Sequence, residues 1–101
     1  MNGAPINKGI PVPKNLIKWI KKTNLDSDVK NKAIDLVLTR DAFGRQKYGQ
    51  SLMTDDGRIT VIDAMDELGD LLQYLYKAKL NGEDTTKVKE LVPVLLELIK
   101  E

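Results

Sequence analysis

From Thr60 to Asn81 the chain reads TVIDAMDELGDLLQYLYKAKLN, with apolar positions recurring at the spacing of an α-helix. Stepping about 100° per residue gathers Val61, Ala64, Met65, Leu68, Leu71, Leu72 and Leu75 on one side. Asp63, Asp66, Glu67, Asp70, Tyr74 and Lys77 fall on the other. Four carboxylates therefore crowd within two turns of a two-faced helix. Side chains three and four residues apart on a helix feel one another's charge, so the cluster calls for cations. Solvent counterions, basic side chains from elsewhere in the fold, or a divalent metal could supply them.

A second stretch with helical period runs from about Asp28 to Tyr48, with Asp26 or Ser27 able to cap its start and Gly49 to end it. Its apolar stripe begins Val29, Ala33, Leu36, Val37 and, carried forward, reaches Arg40, Phe43 and Lys47, while Arg45 and Tyr48 lie toward the opposite side. Two cations thus continue a face that begins as core. Ahead of it, Pro13 can open a short basic helix from Lys14 to Lys22. Leu16, Trp19 and Ile20 share one face of that helix, and Lys14, Lys18, Lys21 and Lys22 share the other as a solvated face or a phosphate-attracting strip.

Asn81-Gly82 stops the acidic helix, and Asp84, Thr85 or Thr86 can start a fourth from Lys87 to Glu101. Val88, Leu91, Leu95, Leu98 and Ile99 follow its period, and Pro93 inside it predicts a kink or a break. Leu95, Leu96, Leu98 and Ile99 are too many for one narrow stripe and point to packing on another subunit. Residues 1–13 hold three prolines and two glycines and read as an extended arm, flexible or docked through Ile6, Ile10 and Val12. In the segment Gly49 to Ile59, Asp56-Gly57 marks a turn, Leu52 and Met53 are expected to tuck against the bundle, and Thr60 with Asp63 resembles a capping box. The pattern predicts an all-α fold: a four-helix arrangement with a central antiparallel hairpin of the second and third helices, an arm over 1–13 and a single helical domain over 14–101.

Composition narrows the chemistry. The chain has 101 residues, 42% hydrophobic and 31% charged, with a thin aromatic supply of one Phe, one Trp and three Tyr. A core built mainly of Leu, Ile and Val at this length is modest, and assembly into a homo-oligomer is the expected way to cover leftover apolar surface. Without cysteine or histidine there are no disulfides, no His or Cys zinc sites and no triad of the Ser-His-Asp kind. Only a hard cation on oxygen ligands fits the donor set. A net charge of +1 argues against binding a nucleic acid polymer. No leader peptide or apolar run suited to a bilayer is found, so no membrane partner and a cytoplasmic location are expected.

Three local signals remain: RQKYG at Arg45 to Gly49, DDGR at Asp55 to Arg58, and DAMDELGDLLQYL at Asp63 to Leu75. In this order and at these spacings they resemble a group of small bacteriophage proteins and, more distantly, the MazG-type all-α nucleotide pyrophosphohydrolases. The resemblance covers about the middle third of the chain. It implies two helices that each bring a pair of acids to magnesium on a nucleoside triphosphate. Glu67-Leu68-Gly69-Asp70 matches the second pair, but the first is missing: Asp35 and Asp41 each lack a partner acid three or four residues away. Arg40, Arg45 and Lys47 stand there instead.

Three functional expectations follow. In the leading one, a cleft lined by Arg40, Arg45, Lys47, Tyr48 and Arg58 binds the phosphates of a nucleotide or cyclic nucleotide. Tyr48 stacks the base, and Asp66 or Glu67 reads base or ribose donors. No cofactor or catalytic residue is implied, and the resemblance to phage proteins suggests sequestration of a host defence signal. In the second, Glu67, Asp70 and Asp66 hold magnesium and the chain is a MazG-like pyrophosphohydrolase. In the third, the chain is an interaction protein that assembles through its terminal helix and arm.

Overall fold

The computed structural model describes residues 9–100. Four helices account for most of them: α1 (Val12–Lys22), α2 (Ser27–Tyr48), α3 (Thr60–Asn81) and α4 (Thr86–Ile99). The described residues hold no strand beyond one isolated antiparallel bridge between Pro11 and Met53. The all-α fold expected from the pattern is the observed one. Packing divides the chain into two compact units, residues 9–56 with 91–100 and residues 57–90. Because α2 belongs to the first and α3 to the second, the hairpin expected of them is a feature of neither unit.

In the first unit, α1 starts two residues earlier than its lysine pattern suggests. Pro11 is extended at the N-cap and Pro13 sits in the first turn. A helix start leaves backbone N–H groups without helical partners, and the Val12 N–H is satisfied from outside the helix by the Leu52 carbonyl at 2.8 Å. Thr54 N–H donates to the Ile10 carbonyl at 3.0 Å, and Ile10 N–H donates to Thr54 Oγ1 at 2.8 Å. The described end of the arm is therefore clasped to a loop of its own chain. Gly9 makes this possible, since a Cβ there would collide with the Thr54 carbonyl oxygen. Leu52 is exposed rather than tucked in, because its backbone serves the clasp, while Met53 is half-buried. Ile6 lies outside the described residues.

Asp26 caps α2, its Oδ2 accepting from Asp28 N–H at 3.1 Å, and Gly49 ends it in the left-handed region at φ 81. Ile20, Ala33 and Val94 are the buried residues, with Leu16, Trp19, Leu25, Val29, Ile34, Val37 and Leu91 packed around them. The lysines of α1 face solvent, as their spacing indicates. The inward face of α2 differs from the expected one. It runs Val29, Ala33, Val37, Asp41 at four-residue steps, with Ile34 beside it, and Leu36, Arg40, Phe43 and Lys47 turn outward. Ile34 packs against the buried cluster in the place given to Leu36, which is exposed.

The helix α4 runs through Pro93 without breaking. Leu91 and Val94 supply its inward positions, and Leu95, Leu96, Leu98 and Ile99 stay exposed. In the second unit, α3 begins after an extended Ile59 with no side-chain cap. Thr60 is thus the first helical residue rather than the cap, which removes the capping box. Gly82 closes α3 at φ 69, and Glu83 N–H reaches back to the Ala78 carbonyl at 2.9 Å, the pattern of a Schellman stop. Asp84 Oδ1 then accepts from both the N–H and the hydroxyl of Thr86, at 3.0 and 2.6 Å.

Since Ile20 alone among the described residues has its whole side chain withdrawn from water, Ile20→Ala is expected to cost about 2–5 kcal/mol, read as a fall in the urea midpoint. A loss below about 1 kcal/mol would mean the α1–α2–α4 core does not set stability.

Candidate functional site

The end of α2 carries four of the residues singled out from the sequence. Asp41, at the last inward position, accepts from Arg45 Nε at 3.2 Å through one oxygen and from Ser51 Oγ at 2.7 Å through the other. Its side chain is 13% exposed while that of Arg45 is 56% exposed. The carboxylate therefore pins the first residues of the following loop and holds the arginine stem along the helix. Arg45 spends its Nε on this pair, which leaves the two terminal nitrogens of an exposed side chain as a fork suited to a phosphate or carboxylate.

Lys47 Nζ lies 5.3 Å from the centre of the Tyr48 ring, and the Arg40 guanidinium carbon 4.7 Å from that of Phe43. Both are cation–π distances. Of the two rings Tyr48 is the more exposed, at 72% against 51% for Phe43. A cation over one face of an exposed ring leaves the other face open to a flat partner. Gly49, directly after Tyr48, turns the chain away in a conformation that a side chain would strain, and its N–H closes the helix on the Arg45 carbonyl at 2.8 Å. The end of α2 thus presents an aromatic ring, an ammonium and an arginine fork within one turn.

Arg58, Asp66, Glu67 and Asp70 belong to the second unit. Arg58 is engaged: its Nε and one terminal nitrogen each donate at 2.7 Å to the two oxygens of Asp63. This two-pronged pair occupies the first turn of α3, where an acid also meets the helix dipole favourably. The hydrogen bonds from Arg58 hold the Asp63 carboxyl below its usual value of 3.8, its charge adds in the same direction, and partial desolvation opposes both. Asp63 is thereby removed from the acid cluster by an arginine rather than by capping. Asp66, Glu67 and Asp70 are exposed and have no hydrogen-bond or ion-pair partner among the described residues. No three acidic side chains among the described residues come together as a group that could hold a metal ion.

Asp41 and Ser51 were missed by the sequence reading. The signal for Asp41 was its place four residues after Val37 on the Val29–Ala33–Val37 row. A carboxylate that ends a buried row needs donors. No helix among the described residues is long and apolar enough to cross a membrane. Compared with protein-family models, curated proteins and solved structures, the chain finds no match.

Two outcomes follow from these pairs. Asp41→Ala strands the Ser51 hydroxyl and the Arg45 Nε and is expected to lower stability by about 1 kcal/mol in urea unfolding; an unchanged midpoint would show the pair to be idle. Asp63, its folded value depressed, contributes stability that is present above the usual value of 3.8 and lost as pH falls through the folded value. In Arg58→Ala, carbon NMR should find Asp63 titrating in the ordinary carboxylate range, and a curve identical to that of the native chain would rule the fork out.

Proposed function

We propose that the chain captures a nucleotide or cyclic nucleotide at the end of α2 and holds it without cleavage. The observation that carries this reading is the juxtaposition on one helical turn of the exposed Tyr48 ring, the Lys47 ammonium over it and the Arg45 fork anchored by Asp41. A base stacked on the open face of Tyr48 places its phosphates beside cations already held near the ring. Stacking of a base on an aromatic side chain is worth about 1–3 kcal/mol, and arginine adds directional hydrogen bonds to phosphate oxygens. Arg40 lies further back on α2, over Phe43, and adds longer-range attraction.

Capture without cleavage is supported by what these residues can do. An arginine, a lysine and a tyrosine bind and orient phosphate, but none of them is placed to deprotonate a water here. The acid pair of the magnesium-dependent reading is matched only by Glu67 and Asp70, and nothing further in the geometry favours that alternative. The resemblance to small phage proteins extends the proposal to withdrawal of a nucleotide signal used in host defence. Arg58, Asp66 and Glu67, which belong to the second unit, are each substituted in turn and scored for an effect on nucleotide capture.

The test incubates the purified chain with a panel of linear and cyclic nucleotides, with and without magnesium, and follows the free pool by chromatography before and after heat denaturation. A nucleotide that disappears and returns intact on heating is the expected result, together with ligand-induced thermal stabilisation that is lost in Arg45→Ala and Tyr48→Ala. New product appearing only with magnesium, and lost in Glu67→Gln, would replace capture by hydrolysis. Stabilisation unchanged in both α2 variants would sink the site.

A further inference from the structure

One exposed face of α3 has a pattern that the helix does not use within its own chain. Ile62, Met65, Leu72, Tyr76 and Leu80 are 56%, 60%, 61%, 61% and 69% exposed. With Gly69 they step along the helix by three, four, three, four and four residues, close to the alternation by which one helix seats its side chains on another. Gly69 stands in the middle. A glycine within a helix destabilises it relative to alanine, yet no atom lies within 4 Å of where its Cβ would be. Among the described residues, nothing beyond the backbone of its own helix stands where that side chain would be.

The row is also close to its own mirror. Counted about the midpoint of the helix, between Asp70 and Leu71, Met65 corresponds to Tyr76 and Gly69 to Leu72, and the mirror position of Ile62 falls one residue from Leu80. Along one edge of the row lie Asp66 before the midpoint and Lys77 after it. Two such helices laid antiparallel bring like edges together, so each Asp66 meets a Lys77. Laid parallel, they would set this charged edge against the opposite edge of the row, and neither Asp66 nor Lys77 would meet the other. The apolar row, the central gap and the charges on its edge therefore all select the same partner and the same direction.

We propose that α3 is the interface of a homodimer, in which two copies pack antiparallel about a two-fold axis and Leu72 of each enters the gap left by Gly69 of the other. A two-fold contact is self-complementary, with every pair made twice. Between Leu72 and Asn81 the surface of α3 forms a shallow open groove lined also by Tyr76 and Leu80, and the second copy's Ile62 and Met65 occupy it. The cation facing Asp66 is then the Lys77 of the second copy. Glu67, on a different edge of the helix, is left to solvent or ligand, so the dimer does not depend on nucleotide binding.

The chain has no cysteine, so placed thiols report the register directly. Met65→Cys/Tyr76→Cys is expected to give a disulfide-linked dimer on mild oxidation, whereas each single variant stays uncrosslinked. Within one helix the two positions are about 16 Å apart, too far for an internal disulfide. Crosslinking of either single variant would mean a parallel pair and overturn the proposal, as would no crosslinking in any variant. Sedimentation equilibrium supplies the second reading. The native chain should sediment as a dimer, Gly69→Leu as a monomer that keeps its helical circular dichroism, and a monomeric native chain at tens of micromolar would equally overturn it.

Discussion

Everything in the first unit depends on one small buried point, where Ile20, Ala33 and Val94 meet from three distant parts of the sequence. The constraint is scarcity. With few residues fully withdrawn from water, the chain cannot cover the apolar surface that its helices carry, and backbone hydrogen bonds and a half-buried carboxylate supplement packing in fixing the loop after α2. Asp41 is the clearest case. It lies where the buried row of α2 runs out, and it converts the end of a hydrophobic face into a polar anchor for Arg45 and Ser51. The same residue that finishes the core thereby orients the cation on which the proposed ligand site rests.

The two units illustrate opposite uses of an amphipathic helix. In α2 the inward face packs against α1, with Val94 of α4 completing the buried cluster, and the outward face is left with Arg40, Lys47 and Tyr48, whose cations lie over aromatic rings. In α3 an apolar row remains open to solvent over most of the helix, beside acids that have no partner among the described residues. Exposed apolar rows of this extent are costly to keep in water. A second copy would remove the apolar surface and supply a cation to Asp66 in one step.

Much of the fold was legible in the sequence because helix boundaries here are written by local chemistry. Asp26, Gly49 and Gly82 each do at the helix ends what their residue types permit, and the lysine face of α1 is where its spacing puts it. The errors came where a distant segment overrides the local signal. The start of α1 is shifted by the Leu52 carbonyl, the first turn of α3 is organised by Arg58 rather than by Thr60, and Pro93 is carried through because Val94 is anchored in the core. The site was legible as a set of residue types near Tyr48 but not as a geometry. Arg45 gains its direction from Asp41, which reads from the sequence as an isolated acid, and Arg58 is drawn to Asp63 by a turn that periodicity does not describe.

The clasp between the arm and the loop after α2 also has a topological side. Hydrogen bonds at Ile10, Val12 and Thr54 tie the chain before α1 to the chain after α2, so both helices lie inside one closed ring of backbone. Closing such a ring costs entropy that grows only slowly with its length, by about 0.6 kcal/mol for each doubling. Extra residues between α1 and α2 would therefore alter the closure very little. The ring depends far more on Gly9, where backbone meets the Thr54 carbonyl so closely that a side chain would collide with it.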